Sequence, residues 1–195
     1  TEIKGSRAKN LRRQMRRLRE QGEVGWRIMR GLADANGAAE RFLDLEHRGW
    51  KGAEGTSLRS KPSEEAFFRD AIGRFSKDGR AWFTELLLDG AVIASTVNFV
   101  SGDAGFAFKI GWDPDHARLS PGLLNEIELI RRAPEVWGHL AYVDSGAGEG
   151  SYIDELWLGR RVLTSGTYAT TAIGRSALAL TDGLRRLKRT WRRSA

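Results

Sequence analysis

The sequence predicts a mixed α/β domain with one largely antiparallel sheet flanked by helices. Three observations predict it. Strand-like runs over 81–88, 91–100 and 104–112 follow one another, separated only by Asp89-Gly90 and by Ser101-Gly102-Asp103, as in an antiparallel meander. Helical periodicity fills most of the chain before the meander. After it come a helix, further strand-like residues and a last helix, so that the chain can cross back to the same sheet.

In chain order, residues 7–20 read as a helix, with Leu11, Met15 and Leu18 as one narrow apolar stripe on an arginine-rich surface and Gly22 as the stop. Val24, Trp26 and Ile28 share one face of a short strand. Residues 33–48 form a second helix, with Ala38, Phe42 and Leu45 on one side. A polar, glycine-rich loop runs from Gly49 to Lys61 and holds Gly49-Trp50-Lys51-Gly52. Pro62, Glu64 and Glu65 suit the first turn of a third helix, which buries Phe68, Ala71, Ile72 and Phe75 and stops at Lys77-Asp78-Gly79. Beyond the meander, Ser120-Pro121-Gly122 opens an apolar helix over 123–132, closed by Pro134. Residues 138–143 read as a strand ending at Asp144, 145–150 as a small flexible loop, 152–157 as a helical turn or two, and 160–168 as a strand. The last helix, from about 175 to 191, carries Ala177, Leu180, Leu184, Leu187 and Trp191 as a clean apolar stripe.

Composition narrows the function. The chain has 195 residues, and 41% are hydrophobic, enough for one full core. Zero cysteines exclude disulfides, thiolate metal sites and a cysteine nucleophile, and fit a cytoplasmic protein. No run of eighteen apolar residues predicts a membrane span. The net charge of +7 is carried by the ends: residues 1–21 hold +6, residues 183–195 hold +6, and the middle holds −5. The first residue is not Met and no signal-peptide pattern opens the chain, so a longer parent protein is expected. Residues 1–22 are read as a basic linker helix and 23–195 as the domain proper.

Few residues carry a chemical signal. Ser120, Pro121, Gly122 and Leu123 open a helix whose first N–H groups lack intrahelical partners, which makes an anion cradle, with Arg118 adding charge; an ordinary capped helix reads the same. Asp144 at a strand's carboxyl end and Glu149 in the following loop are candidates for proton removal, against a turn-starting Asp and a solvated charge. His116 and His139 titrate near neutrality but have no motif around them. Trp50 and Lys51 either line a cleft or plug the preceding helix and face solvent. Alternation puts Lys109 with Ala107, away from the phenylalanines and into solvent. Arg12, Arg13, Arg16 and Arg17 could contact phosphates, but the segment has no aromatic residue for strand binding, and a solvated or interface helix reads better.

The order of several short stretches carries a resemblance. They are Lys9-Asn10-Leu11-Arg12-Arg13-Gln14, Phe42-Leu43-Asp44-Leu45-Glu46, Gly49-Trp50-Lys51-Gly52 with Gly55-Thr56, Phe67-Phe68-Arg69, Leu88-Asp89-Gly90-Ala91-Val92-Ile93-Ala94, Asp113-Pro114, Ser120-Pro121-Gly122, and Asp144 with Glu149 and Tyr152. Together they resemble the GNAT-like acetyltransferases of the CelD/BioF2-like family, relatives of the FemAB aminoacyl transferases. The resemblance implies a GNAT fold, a C-terminal half whose partner would be a preceding GNAT-like half, acyl-CoA (acetyl-CoA in the simplest case) as donor, and no metal. It implies an amine or hydroxyl acceptor on a small molecule, sugar or polysaccharide precursor, with Trp50, Lys51 and Tyr152 on the substrate. Direct transfer needs a phosphate cradle, an oxyanion donor and a proton acceptor, and no protein nucleophile. Two alternatives stand beside it: a FemAB-like transferase using charged tRNA, and a non-catalytic lobe supporting a missing half. Relatives often place Lys after the Tyr of this last stretch, whereas Ile153 follows Tyr152 here.

Overall fold

The computed structural model describes residues 5–191, apart from the side chains of Leu32 and of residues 182–191. It divides into two units after Leu158. The first contains α1 (Gly5–Arg19), β1 (Val24–Arg30), α2 (Leu32–Arg48), α3 (Trp50–Ala53), α4 (Pro62–Lys77), β2 (Ala81–Leu88), β3 (Ala91–Ser101), β4 (Ala104–Trp112), α5 (Pro121–Trp137) and β5 (Tyr142–Asp144). Short 3₁₀ segments, Leu58–Ser60 and Pro114–Leu119, precede α4 and α5. The second unit holds α6 (Ala172–Trp191) after an irregular stretch.

The sheet runs β1-β2-β3-β4-β5, so each strand pairs with its neighbour in sequence. The first four are antiparallel and β5 joins β4 in parallel. The β2–β3 turn has φ of 49° at Asp89 and 80° at Gly90, the left-handed pair a two-residue hairpin requires. The two faces of the sheet are covered differently. On one, α2 and α4 bury Phe42, Leu43, Phe68 and Ile72 against Phe83 and Val97. On the other, Leu11 and Leu18 of α1 and Leu124 of α5 close over Leu86, Ile93 and Ala94. Helix α1 is thus built into the core of the first unit through its narrow stripe, with Arg12, Arg13, Arg16 and Arg17 left exposed.

Four expectations change. The Gly49–Lys61 stretch is not all loop: Trp50–Ala53 forms a helical turn stacked on the end of α2. A side chain at Gly52 would lie 1.8 Å from the His47 carbonyl oxygen, so this tight junction requires glycine. Helix α5 does not end at Pro134 but runs to Trp137, because Val136 and Trp137 bury against Trp82 and Val100. That extension uses up residues expected in the next strand, which shrinks to Tyr142–Asp144, with the Leu140 N–H turning back to the Trp137 carbonyl at 2.8 Å. Residues 160–168 form no strand, and Val162 and Leu163 are 88% and 74% exposed. Strand-forming residues hold a strand only where a neighbour pairs with them and one face is buried. The α6 stripe shows Ala177 and Leu180 exposed, while the side chains of Leu184, Leu187 and Trp191 lie outside the described residues.

Candidate active site

The site starts from a parting of strands. β5 pairs with β4 only at Ala104↔Tyr142, Gly105↔Val143 and Phe106↔Asp144, after which the two diverge. Asp144 turns the chain away, its Oδ1 accepting the Gly146 N–H at 2.8 Å. A cavity of about 560 Å³ opens along the edge of β4 left beyond this point. Its walls are β4 from Ala107 to Trp112, the start of α5, Trp50 and Lys51 of α3, and the chain from Ser145 to Ile153.

A bulge in β4 decides which side chains face which wall. Val97 pairs with Lys109 and Asn98 with Ala107, so Phe108 is an extra residue in β4. Phe108 stacks on Phe68 of α4, and the next residue, Lys109, stays on that same face. Simple alternation, which places Lys109 in solvent, therefore fails at this point. Lys109 Nζ instead reaches Glu46 Oε1 at 3.1 Å. Lys51 Nζ meets the same oxygen at 3.1 Å and donates to the Ile110 carbonyl at 3.1 Å. Glu46 is buried, and its second oxygen accepts the Leu58 N–H at 2.9 Å. The helix carrying Glu46 comes this close because Gly111 has no side chain: a Cβ there would lie 2.9 Å from the Glu46 nitrogen.

Ile110 and Trp112 point to the opposite face, against α5. There Gly122 lets the helix sit on the strand, since a Cβ would meet Ile110 and Trp112 at 3.1 and 3.2 Å. Ser120 holds a left-handed conformation, φ 52° and ψ 54°, and its side chain does not cap the helix. It accepts instead from Gln14 Nε2 of α1 at 3.1 Å. Pro121 lacks an N–H, so the amides of Gly122 and Leu123 are the uncapped donors of this helix start, and both residues line the cavity.

One turn further along α5, Glu126 also lines the cavity. It is buried, and it accepts from Thr96 Oγ1 at 2.8 Å and from Trp157 Nε1 at 3.2 Å. Burial raises its pKa above the ordinary carboxylate range, against the two hydrogen bonds, which lower it. Asn125 fixes the turn behind it, donating to the Thr84 carbonyl at 3.0 Å and to Thr96 Oγ1 at 3.0 Å, and accepting from Trp26 Nε1 at 2.9 Å. Tyr152 is 60% exposed as a residue, yet burial around its phenol, and then the charge of Glu126, raise its pKa.

This arrangement agrees with a family match. Residues 5–152 match the model described as an acetyltransferase (GNAT) domain. The chain belongs to the acetyltransferase (GNAT) domain family. The matched span lies within the first unit and contains most of the cavity wall. Among solved structures, this GNAT domain is similar to a ribosomal-protein-alanine N-acetyltransferase from Brucella melitensis biovar Abortus 2308, at 14% identity and TM-score 0.43, covering 77% of this chain and 97% of that one. It is also similar to the ribosomal-protein-S18-alanine N-acetyltransferase of Escherichia coli, at 20% identity and TM-score 0.45, over 69% and 76% of the two chains. A third is an aminoglycoside acetyltransferase from an uncultured soil metagenomic sample, solved with trehalose, at 9% identity and TM-score 0.46, over 76% and 97%. No curated protein matches the chain.

Of the residues singled out in the sequence, Trp50, Lys51, Ser120, Gly122, Leu123 and Tyr152 line this same cavity. Pro121 is buried beneath the helix start, and Arg118 is exposed on the 3₁₀ segment outside the lining. Asp144 stands half-buried where the strands part, and Glu149 is exposed in the next loop; neither lines the cavity. Sequence reasoning missed Glu126 and Glu46, and it turned Lys109 to solvent, whereas Lys109 lines the cavity. Glu126 had a legible signal: it falls four residues after Gly122, on the sheet-facing side of an apolar helix. Among the described residues no group of His, Cys, Asp and Glu could hold a metal ion, and no helix is long and apolar enough to cross a membrane.

Proposed function

We propose that this GNAT domain transfers an acetyl group from acetyl-CoA to an amine or hydroxyl of a small-molecule or sugar acceptor, in the cavity beside β4. The observation that carries the reading is the cavity's span across the free edge of β4, from an uncapped helix start on one face to Trp50 and Lys51 on the other. Two substrates can enter from opposite sides and meet at the edge. The donor supplies an acyl group already activated as a thioester. The Gly122 and Leu123 amides, at the positive end of the α5 dipole, fit its phosphates. The edge of β4 beyond Phe106, no longer paired to β5, offers backbone N–H groups where negative charge would develop on a carbonyl. Glu126 is assigned proton removal, since a carboxylate with a raised pKa is a better base near neutrality.

The test is calorimetry of acetyl-CoA with the wild-type chain and Ser120→Asp. Asp tolerates the left-handed conformation and would place a carboxylate at the amides meant for phosphate. Wild type is expected to bind, and the variant to bind at least about tenfold more weakly. Equal affinities would remove the helix start from the site.

The order of the short stretches supports placing the chain with the CelD/BioF2-like relatives, and its lack of cysteine fits the cytoplasm, where acetyl-CoA is supplied. The exposed arginines of α1 favour one competing donor, charged tRNA. Salt-dependent tRNA binding, lost on neutralising Arg12, Arg13, Arg16 and Arg17, would select it.

A further inference from the structure

We infer that the acceptor carries an anionic group, a carboxylate or phosphate, held by Lys51 and Lys109 beside the amine or hydroxyl to be acylated. This rests on the acyl-transfer reading above and names its substrate class.

The inference comes from a charge count at one wall of the cavity. Two ammonium groups share a single carboxylate oxygen of Glu46, each at 3.1 Å. One lysine would neutralise that buried acid. The second leaves a positive charge, and both side chains stay partly open, 21% and 26% exposed, where they line the cavity. One further acid, Glu64, feels the charge of Lys109 but is paired with Lys61 at 2.8 Å. Counting Glu46, Glu64, Lys51, Lys61 and Lys109 together, the wall carries a net positive charge.

Hydrogen-bond capacity points the same way. Six N–H donors belong to the two ammonium groups. Lys51 uses two, on Glu46 and the Ile110 carbonyl, and Lys109 uses one, on Glu46. Glu46 can accept at most one of the three donors left over, because Oε1 already serves both lysines and its other oxygen accepts the Leu58 N–H. The remaining donors face a cavity in which Trp50 and Phe108 expose apolar surface, 54% and 43%. Charged donors beside flat apolar walls fit a compact anionic molecule with some carbon skeleton.

The anion belongs to the acceptor rather than to the donor. Lys109 lies on the α2 face of β4, whereas the uncapped start of α5 lies on the opposite face, against Ile110 and Trp112.

The experiment is calorimetric titration of the free chain with matched pairs: glucosamine and glucosamine 6-phosphate, ethanolamine and phosphoethanolamine, tyramine and tyrosine. Wild type is expected to bind at least one anionic member about tenfold or more tightly than its neutral partner. The pair that responds distinguishes carboxylate from phosphate. Two variants should move that preference in opposite directions. Lys109→Met leaves Glu46 and Lys51 as a neutral pair and should abolish it. Glu46→Gln keeps an acceptor for the Leu58 N–H, adds a net positive charge, and should tighten the anionic member. A purely structural cluster would not give opposite signs. Binding of no anionic probe, equal affinity within every pair, or Lys109→Met weakening acetyl-CoA instead would each overturn the inference. Failure of acetyl-CoA to bind wild type, with the anion preference intact, would sink the donor reading alone.

Discussion

Glu126 places an acid in the buried, sheet-facing side of α5, and this gives it two measurable effects. In activity, Glu126→Gln should lower kcat by about a hundredfold or more, the range for removing a general base. The acid limb of the wild-type pH profile should lie above the ordinary carboxylate range, because burial raises the pKa. In stability the sign is reversed. A carboxyl whose folded pKa exceeds its unfolded value of about 4.3 binds more protons in the native state. Its contribution is therefore present at acid pH and is lost as pH rises from there through the raised value. Thermal unfolding should show Glu126→Gln gaining stability over wild type toward pH 7–8, with no gain near pH 4. Lys109 shows the limit of reading residues singly. Its identity was plain, but its direction depends on a bulge whose partner strand defines it, and nothing local to 104–112 marks Phe108 as the extra residue. Ser120, Gly122, Trp50 and Lys51 were legible because helix-start chemistry and glycine flanks are local signals.

At the scale of elements, α5 is the clearest case of tertiary contact overriding a local rule. A proline inside a helix costs about 3 kcal/mol through the lost hydrogen bond and a ring clash. Beyond Pro134, Val136 and Trp137 bury against Trp82 and Val100. Each buried side chain of that size contributes about 1.5–3 kcal/mol, enough to carry the helix through. Pro134→Ala should therefore raise stability by about 1–3 kcal/mol, read as a higher Tm with the native spectrum unchanged. The hairpins and the α2, α4 and α5 stripes were legible because turn residues and 3.6-residue periodicity are written in consecutive positions. The loss of the 160–168 strand was not, since alternation there has no recorded consequence until a neighbouring strand is found or lacking.

At the scale of the whole molecule, the parting of β4 from β5 makes the cavity, and every residue of its wall lies between Trp50 and Ile153. The division of the chain falls after this span, at Leu158. A chain ended at Leu158 should therefore bind acetyl-CoA with the affinity of the full sequence. Both should gain about 2.7 kcal/mol at a hundredfold excess over Kd, seen as a Tm several degrees higher. Unequal ligand-induced shifts would bring residues 159–195 into the site. The fold class was legible because four of the five strands follow one another through short connections or periodic helices. The parting was less so, because it depends on a three-residue parallel pairing between segments 38 residues apart.

The bulge at Phe108 and the bare backbone at Gly111 constrain one another. Slipping β4 by one position would bring Ile110 or Trp112 to the place where α2 leaves no room for even a methyl group. The phase of this strand is therefore locked like a key in its wards. New acceptor preferences can arise by exchanging the side chains at 108 and 109, whereas insertion or deletion in β4 would break the lock before it changed the specificity.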